Sequence, residues 1–352
     1  MRTAVLLGNR DTKRTIYFEK AARQNGLPFL FLEWEEWRRC GFPSDSELFV
    51  KIDPPVWTDG HLSGLNDLVG SYRSDLKALE KEASVSQFLN PPRALMELLD
   101  KTRCKQVLKE AGLPVTQSLG EGIGDSEALL SRMKDLRIFS VFIKPVSGSG
   151  AAGVTAFRFQ PKTGRMAAYS CAAPDQAALK PERSSSFRPP LINTKRLHTI
   201  TESAEIMDFL DSLLSLGCIV ERWYPKADFQ GFSYDLRAVC QDGALDFLLA
   251  RLSKGPVTNL HLNNHPLEAS QLALPEDVTT TIKELCRRAC GCYPGLRSAG
   301  IDILLEKGSL KPLIIEMNGQ GDLLFQDIYD KNEIYSHQVR MMKAWLEQGG
   351  TL

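Results

Sequence analysis

A chain of 352 residues is long enough for two or three lobes, each with its own core. Its 43 basic and 43 acidic residues cancel, which argues against the broad basic face that nucleic acid requires. No apolar run approaches the roughly 20 residues that span a bilayer, and the opening MRTAVLLGNRD is too short in its apolar part for a secretory signal, so a cytoplasmic protein with no membrane partner is expected.

In chain order, residues 3–7 (TAVLL) read as a first strand and residues 12–25 as a helix that stops at Gly26. LPFLFLEW is a second strand and ELFVKID a third, a rhythm that gives a small open α/β lobe to about residue 90. Asn90-Pro91-Pro92 breaks the chain. RALMELLDKTRCKQVLKEAGLPV then has helical periodicity, a stop at Gly112 and Pro114 just beyond.

Residues 142–154, FIKPVSGSGAAGV, fit G-x-G-x-x-G at Gly148, Gly150 and Gly153. A dinucleotide fingerprint needs a helix directly after its glycines. Here VTAFRF follows, with strand alternation, and SVFIK before the loop is also a strand. The loop therefore joins two strands of a hairpin. Backbone N–H groups from Ser147 to Gly153, Ser149 among them, suit polyphosphate. Lys144 ends the entering strand beside them, and the expected nucleotide is ATP, not NAD. A protein kinase would carry its lysine after the loop, with HRD and DFG sequences that are missing here.

Residues 160–200 are rich in Pro, Ser and unpaired basic residues and are expected to form a surface insertion, with a lid or substrate-docking loop as the alternative. Residues 201–216 suit a helix capped by Thr201 or Ser203 and ended by Gly217. CIVERWY, SYDLRAVC and LDFLLARL are strands, and PEDVTTTIKELCRRAC is a helix. GIDILLE and LKPLIIEMN form a hairpin through Lys307-Gly308, and EIYSHQVRMMKAWLEQ closes the chain as a helix. Of eight cysteines only Cys286, Cys290 and Cys292 cluster, and the first two stand one helical turn apart, as on an apolar helix face.

The hairpin is the chemical centre. Glu316 and Asn318 share a strand face, and Asp302 lies in the neighbouring strand. Two carboxylates and an amide oxygen are hard ligands that suit Mg²⁺ held jointly with nucleotide phosphates. Lys101 and Lys105 are both placed to reach phosphate, and one of the two is expected to do so. Glu221 ends an apolar strand, where backbone groups of Arg222 and Tyr224 can meet an adenine edge and Asp228 a ribose. Arg237, Arg251, Lys254 and Asn259 suit phosphate and carboxylate recognition, with a structural Asp235–Arg237 pair as the alternative for Arg237.

In order and spacing these motifs resemble the ATP-grasp superfamily over residues 90–345. LLARLSKGPVTNLH is similar to the corresponding stretch of its ribosomal-protein glutamate ligase and glutathione synthetase branch. The resemblance implies an α/β fold in three regions: a Rossmann-like preceding domain at 1–92, an N-terminal ATP-grasp lobe at 93–220 and a C-terminal lobe with the metal site at 221–352. It also implies an ATP- and Mg²⁺-dependent carboxylate–amine ligase working through an acyl phosphate. The substrates would be a small carboxylate and an amine, such as an amino acid or peptide, or a protein acceptor. A nucleotide-binding regulator without turnover is the alternative. Two departures from the family fall where substrate would sit: Asn318-Gly319-Gln320-Gly321 replaces the usual small residue, Pro and Gly, and the 160–200 segment is longer.

Overall fold

The computed structural model describes residues 2–43, 45–58, 60–82, 85–148, 150–175, 189–262, 264–320 and 331–348. Three sheets organise them. The first is parallel, in the order β2-β1-β3-β4, from β1 (Arg2–Gly8), β2 (Phe29–Glu33), β3 (Glu47–Ile52) and β4 (Val85–Phe88). Ala4, Val5, Leu6 and Leu7 are all fully buried, because a parallel strand is covered on both faces and reads as one continuous apolar run.

Helices supply that cover. α1 (Lys13–Asn25) starts where Thr12 Oγ1 accepts from the Thr15 N–H, and stops at Gly26, whose φ of 63° is left-handed. With the last helix, α9 (Glu333–Glu347), it packs Phe18, Tyr335 and Met342 onto Ala4 and Leu6. By packing, the end of the chain thus returns to the first sheet. α2 (Trp34–Cys40) and α3 (Leu62–Leu79) cover the other face with Trp34, Trp37 and Tyr72.

The expected single helix after Asn90 is two: α4 (Pro92–Leu98) and α5 (Lys101–Glu110). Asp100 divides them, because its carboxylate accepts from the N–H groups of Thr102 and Arg103 and so starts a new helix. This cap places Lys101 at the first position of α5.

The second sheet is antiparallel, in the order β8-β7-β6-β5-β9, from β5 (Ser140–Pro145), β6 (Thr155–Phe159), β7 (Met166–Pro174), β8 (Leu191–Ile200) and β9 (Cys218–Arg222). α6 (Ser126–Asp135) and α7 (Ser203–Leu214) cover it. Residues 176–188 of the expected 160–200 insertion lie outside the described residues, and most of its described part is regular sheet. Small residues in MAAYSCAAP concealed β7, since strand pattern is read from β-branched and aromatic side chains. α7 begins after Glu202, with no side-chain cap from Thr201 or Ser203.

The third sheet runs β13-β12-β11-β14-β15, with the short β10 (Asp228–Phe229) against β11. Its main strands are β11 (Phe232–Gln241), β12 (Ala244–Ser253), β13 (His265–Glu268), β14 (Ser298–Leu305) and β15 (Pro312–Asn318). α8 (Glu276–Gly291) buries Ile282, Leu285, Cys286, Ala289 and Cys290 on one face of it, at helical spacing. Cys286 and Cys290 are thus core residues, and Cys292 is half-buried beside them. Among the described residues no three His, Cys, Asp or Glu side chains group to hold a metal, and no helix is long and apolar enough to cross a membrane.

The connector after α5 joins the second and third sheets. Thr116 N–H donates to Ile314 O of β15 at 3.0 Å, and Leu119 N–H to Val220 O of β9 at 2.8 Å. Asn90 ties the first sheet to the third. Its Nδ2 donates to the carbonyls of Ser298 and Gly319, and its Oδ1 accepts from the N–H groups of Arg297 and Ser298. With about 1 kcal/mol per buried bond and backbone groups left unpaired, Asn90→Ala should cost roughly 2–4 kcal/mol. Urea unfolding measures this, and an unchanged midpoint would show that the junction does not depend on Asn90.

Candidate active site

The inner face of the second sheet and the open face of the third border a cleft of about 820 Å³, its solvent-open mouth included. Its centre on the second sheet is Glu221 in β9, 2% exposed. β5 pairs with β9 so that Lys144 reaches across, and its Nζ donates to Glu221 Oε2 at 2.8 Å. Lys105, on the inner side of α5, meets Glu221 Oε1 at 2.8 Å and also donates to Thr116 Oγ1 at 2.6 Å. Thr116 Oγ1 in turn donates to Glu221 Oε2. Burial disfavours the ionised Glu221, but Lys105 and Lys144 outweigh it and hold the carboxyl at about 2.

Of the two candidate lysines on α5, Lys105 is a buried partner of Glu221, and Lys101 lines the cleft. Lys101 Nζ donates to the carbonyls of Pro145, Val146 and Gly148, at 3.2, 3.4 and 2.8 Å. It therefore anchors the glycine loop from below. Gly148 and Gly150 line the cleft. Gly150 has φ of 64°, and a Cβ there would stand 3.6 Å from the His261 ring, so the loop tip meets the segment after β12. Gly153 serves packing instead: its φ is 70°, and a Cβ would collide with Pro145 and Leu62 at 2.8 and 2.9 Å. Ser147 is half-buried and does not line the cleft; Ser149 lies outside the described residues.

The third sheet contributes a network of alternating charge. Asp302 in β14 pairs with Arg237 at 2.6 Å and Arg251 at 3.0 Å. Arg251 also donates from Nε to Asp235 Oδ1 at 2.7 Å. Asp235 further accepts from Thr258 and lies 3.5 Å from Lys226, itself bonded to Thr258 at 2.7 Å. Burial opposes ionisation of Asp235, and Arg251 with Lys226 outweighs it, holding the carboxyl well below its ordinary range. Arg237 thus pairs with Asp302 and not with Asp235, and it sits behind the cleft wall. Gly300 makes room for it, since a Cβ there would stand 3.1 Å from its guanidinium.

Glu316 lies directly opposite Asp302 in the β14–β15 register, and Asn318 Nδ2 donates to it at 3.4 Å. The half-buried Glu316 is held below its ordinary value by Lys101, Lys144 and Arg237, against the cost of desolvation. The donor set fits a magnesium ion: facing carboxylate oxygens at the bottom of a cleft, with Asn318 as the third oxygen-bearing group. Asp302 would then share its oxygens with the two arginines that hold it here.

The remaining sequence candidates divide. Asn259 lines the cleft, and its Oδ1 accepts from the His261 N–H at 2.9 Å. Arg222 and Tyr224 border the cleft, but the Arg222 N–H already donates to Gln117 O at 2.8 Å. The Arg222 N–H is therefore not free to meet an adenine edge. Asp228 points outward and pairs with Lys307 at 2.7 Å, so it is not at a ribose. Lys254 lies over the Phe232 ring at 5.3 Å, outside the cleft. Thr116, Lys226 and Thr258 escaped the sequence reading because single polar residues in loops carry no periodic signal. Phe142, Leu304 and Ile315 also line the cleft and give it an apolar wall.

Removing the Glu221 charge leaves two lysines buried without their shared anion. Glu221→Gln should cost roughly 3–5 kcal/mol at neutral pH. Because the folded carboxyl sits at about 2 and an ordinary one at 4.5, the wild type loses this advantage only as pH falls through that interval. The stability gap between wild type and variant should be full at pH 7 and shrink toward pH 2. Urea midpoints across this range would contradict the assignment if the gap did not change.

No protein-family model matches the chain, and no curated protein matches it in sequence. Solved structures do match over nearly the whole length. The D-cycloserine synthetase DcsG covers 97% of this chain and 99% of its own at 13% identity, with a TM-score of 0.61. The ATP-grasp ligase PsnB, complexed with a minimal precursor, covers 97% and 99% at 14% identity, with a TM-score of 0.57. The D-alanine–D-alanine ligase of Bacillus anthracis, complexed with ATP, covers all of both chains at 10% identity, with a TM-score of 0.54. Identities this low speak for architecture, and on that evidence the chain has the ATP-grasp fold.

Proposed function

We propose that the protein is an ATP-dependent ligase that joins a carboxylate to an amine through an acyl phosphate. The observation that carries this reading is the pairing of two charged centres across one cleft: Lys144 with Glu221 on one sheet, Asp302 with Glu316 on the other. Support also comes from proteins of like fold, PsnB complexed with magnesium and ADP and a D-alanine–D-alanine ligase complexed with ATP.

On this reading the base of ATP lies against Phe142, Leu304 and Ile315, with the Tyr224 N–H at its edge. The phosphates run under the glycine loop toward Lys101 and Lys144, which supply charge-assisted hydrogen bonds. Asp302, Glu316 and Asn318 would hold Mg²⁺, which supplies charge neutralisation for the phosphate groups. A substrate carboxylate oxygen attacks the γ-phosphorus, the bond to the β–γ bridging oxygen breaks, and ADP leaves. The amine nitrogen then attacks the acyl carbon, the bond to the phosphate oxygen breaks, and phosphate leaves as the amine loses its proton. Arg251, fixed by Asp235 and Asp302, presents its positive charge where these oxygens gain negative charge. No side-chain nucleophile is required.

Incubation with ATP, magnesium and a panel of amino acids and short peptides tests the reaction. ADP release should require both a carboxylate and an amine, and mass spectrometry should find a product equal to their sum less water. ADP release unaffected by every candidate, or none with any of them while ATP still binds, would leave a nucleotide-binding protein without ligase turnover. Glu316→Gln should lower ADP release by roughly 100-fold or more. It is a cleaner variant than Asp302→Ala, which would strip a carboxylate from two buried guanidinium groups. Lys144→Met should weaken ATP binding by at least about ten-fold. Calorimetry checks this, and unchanged affinity would remove Lys144 from the phosphate site.

A further inference from the structure

A second pocket, small and partly open, about 380 Å³ with its solvent-open space included, shares no lining residue with the nucleotide cleft. It lies at the C-terminal end of the first sheet, where Ile52 closes β3 and Asp53 follows. β1 connects to one side of that sheet, to β2, and β3 to the other, to β4. In open parallel sheets the crevice at such a reversal is the preferred place for a ligand.

The wall of this cavity is charged and incompletely satisfied. Lys51 Nζ bonds Asp53 Oδ1 and lies over the rings of Phe18 and Tyr335, at 5.4 and 5.5 Å. Asp53 is 6% exposed, yet its Oδ2 has no hydrogen-bond partner among the described residues. Gln338 of α9 is 1% exposed; its Nε2 donates to Ser298 Oγ at 3.1 Å, and its Oε1 is likewise unpartnered among them. Arg14, in the first turn of α1, lines the same cavity, and no described carboxylate pairs with it. A buried acceptor without a donor is unfavourable, because it has given up water and gained no partner. Two of them in one cavity call for an occupant that donates, and the guanidinium calls for a carboxylate, which it can grip through two parallel bonds. Water meets the first need and leaves the second. One small molecule with an ammonium and a carboxylate on the same carbon meets both.

We infer that this pocket binds one free α-amino acid by both of its charged ends. The ammonium donates to Asp53 Oδ2 and Gln338 Oε1, the carboxylate accepts from Arg14, and Ile52 and Leu89 offer an apolar wall to the side chain. The pocket adjoins the hairpin that carries the candidate metal ligands. Gly319 and Gln320 in its wall directly follow Asn318, and Ser298 lies on the same strand face as Asp302, about 13 Å along β14. The inference does not rest on the ligase reading, because the pocket and the nucleotide cleft have separate walls. A peptide, lacking one or the other charged end at each residue, would not satisfy the site.

Calorimetric titration of the full chain without nucleotide tests the inference. The probes are the standard amino acids, each beside its N-acetyl and its carboxamide derivative, and ATP binding is measured separately. At least one free amino acid should bind, and blocking either end should weaken it by about ten-fold or more. Arg14→Gln, at a half-buried residue with no described ion pair, should fold normally, keep wild-type ATP affinity and weaken the amino acid at least about ten-fold. Gln338→Leu should do the same for the free amino acid. Equal binding of blocked derivatives, wild-type affinity in both variants, or no binding by about 10 mM would overturn the inference. Such a failure with ATP affinity intact leaves the ligase reading standing, whereas a loss of ATP-dependent turnover with amino acid binding intact would count against the ligase reading alone.

Discussion

Glu221 between Lys105 and Lys144 is the interaction on which the rest of the site depends. It joins the strand β9, the strand β5, the helix α5 and the connector residue Thr116 in one buried cluster. A lone carboxylate or ammonium in that position would cost several kcal/mol in desolvation. Two cations around one anion leave a net positive charge, directed into a cleft from which water is partly excluded. The cluster therefore positions Lys144 and also supplies part of the field that an anionic polyphosphate would need. Lys101 extends it: three backbone carbonyls hold its ammonium under the glycine loop, so the loop's shape and the placement of a cation are one feature.

The third sheet solves a related problem with the opposite sign. Asp302 and Glu316 face each other in register, and like charges so close are unfavourable unless cations intervene. Arg237 and Arg251 provide them, and Arg251 is itself tied to Asp235. The two arginines therefore cannot be regarded as free substrate-binding groups. Burial still pushes the Asp302 carboxyl up, and the two arginines offset part of that cost; Arg251 alone of the pair also borders the cleft.

Much of this was legible in the sequence because it follows from strand period. The glycine run between SVFIK and VTAFRF had to be a hairpin loop, and Asp302 opposite Glu316 follows from a hairpin closed at Lys307-Gly308. What failed depended on where loops turn. Asp228 lies on a short strand whose side chain faces Lys307, and the Arg222 N–H is taken by a connector with no pattern of its own. Lys51 and Asp53 read as the polar end of a strand; only the fold brings Arg14 and Gln338 beside them, from helices more than 300 residues apart in the chain. The 166–174 strand was hidden by its alanines, since small side chains give neither strand nor helix a face.

The central claim is that the carboxylate of a substrate takes the γ-phosphoryl group before the amine arrives. Labelling both oxygens of a reactive carboxylate with ¹⁸O and analysing the released phosphate by mass spectrometry tests it directly. In the acyl-phosphate route the carboxylate oxygen that attacked phosphorus departs with it. The account predicts one ¹⁸O in each phosphate formed; phosphate free of label, with ADP still released, would contradict it.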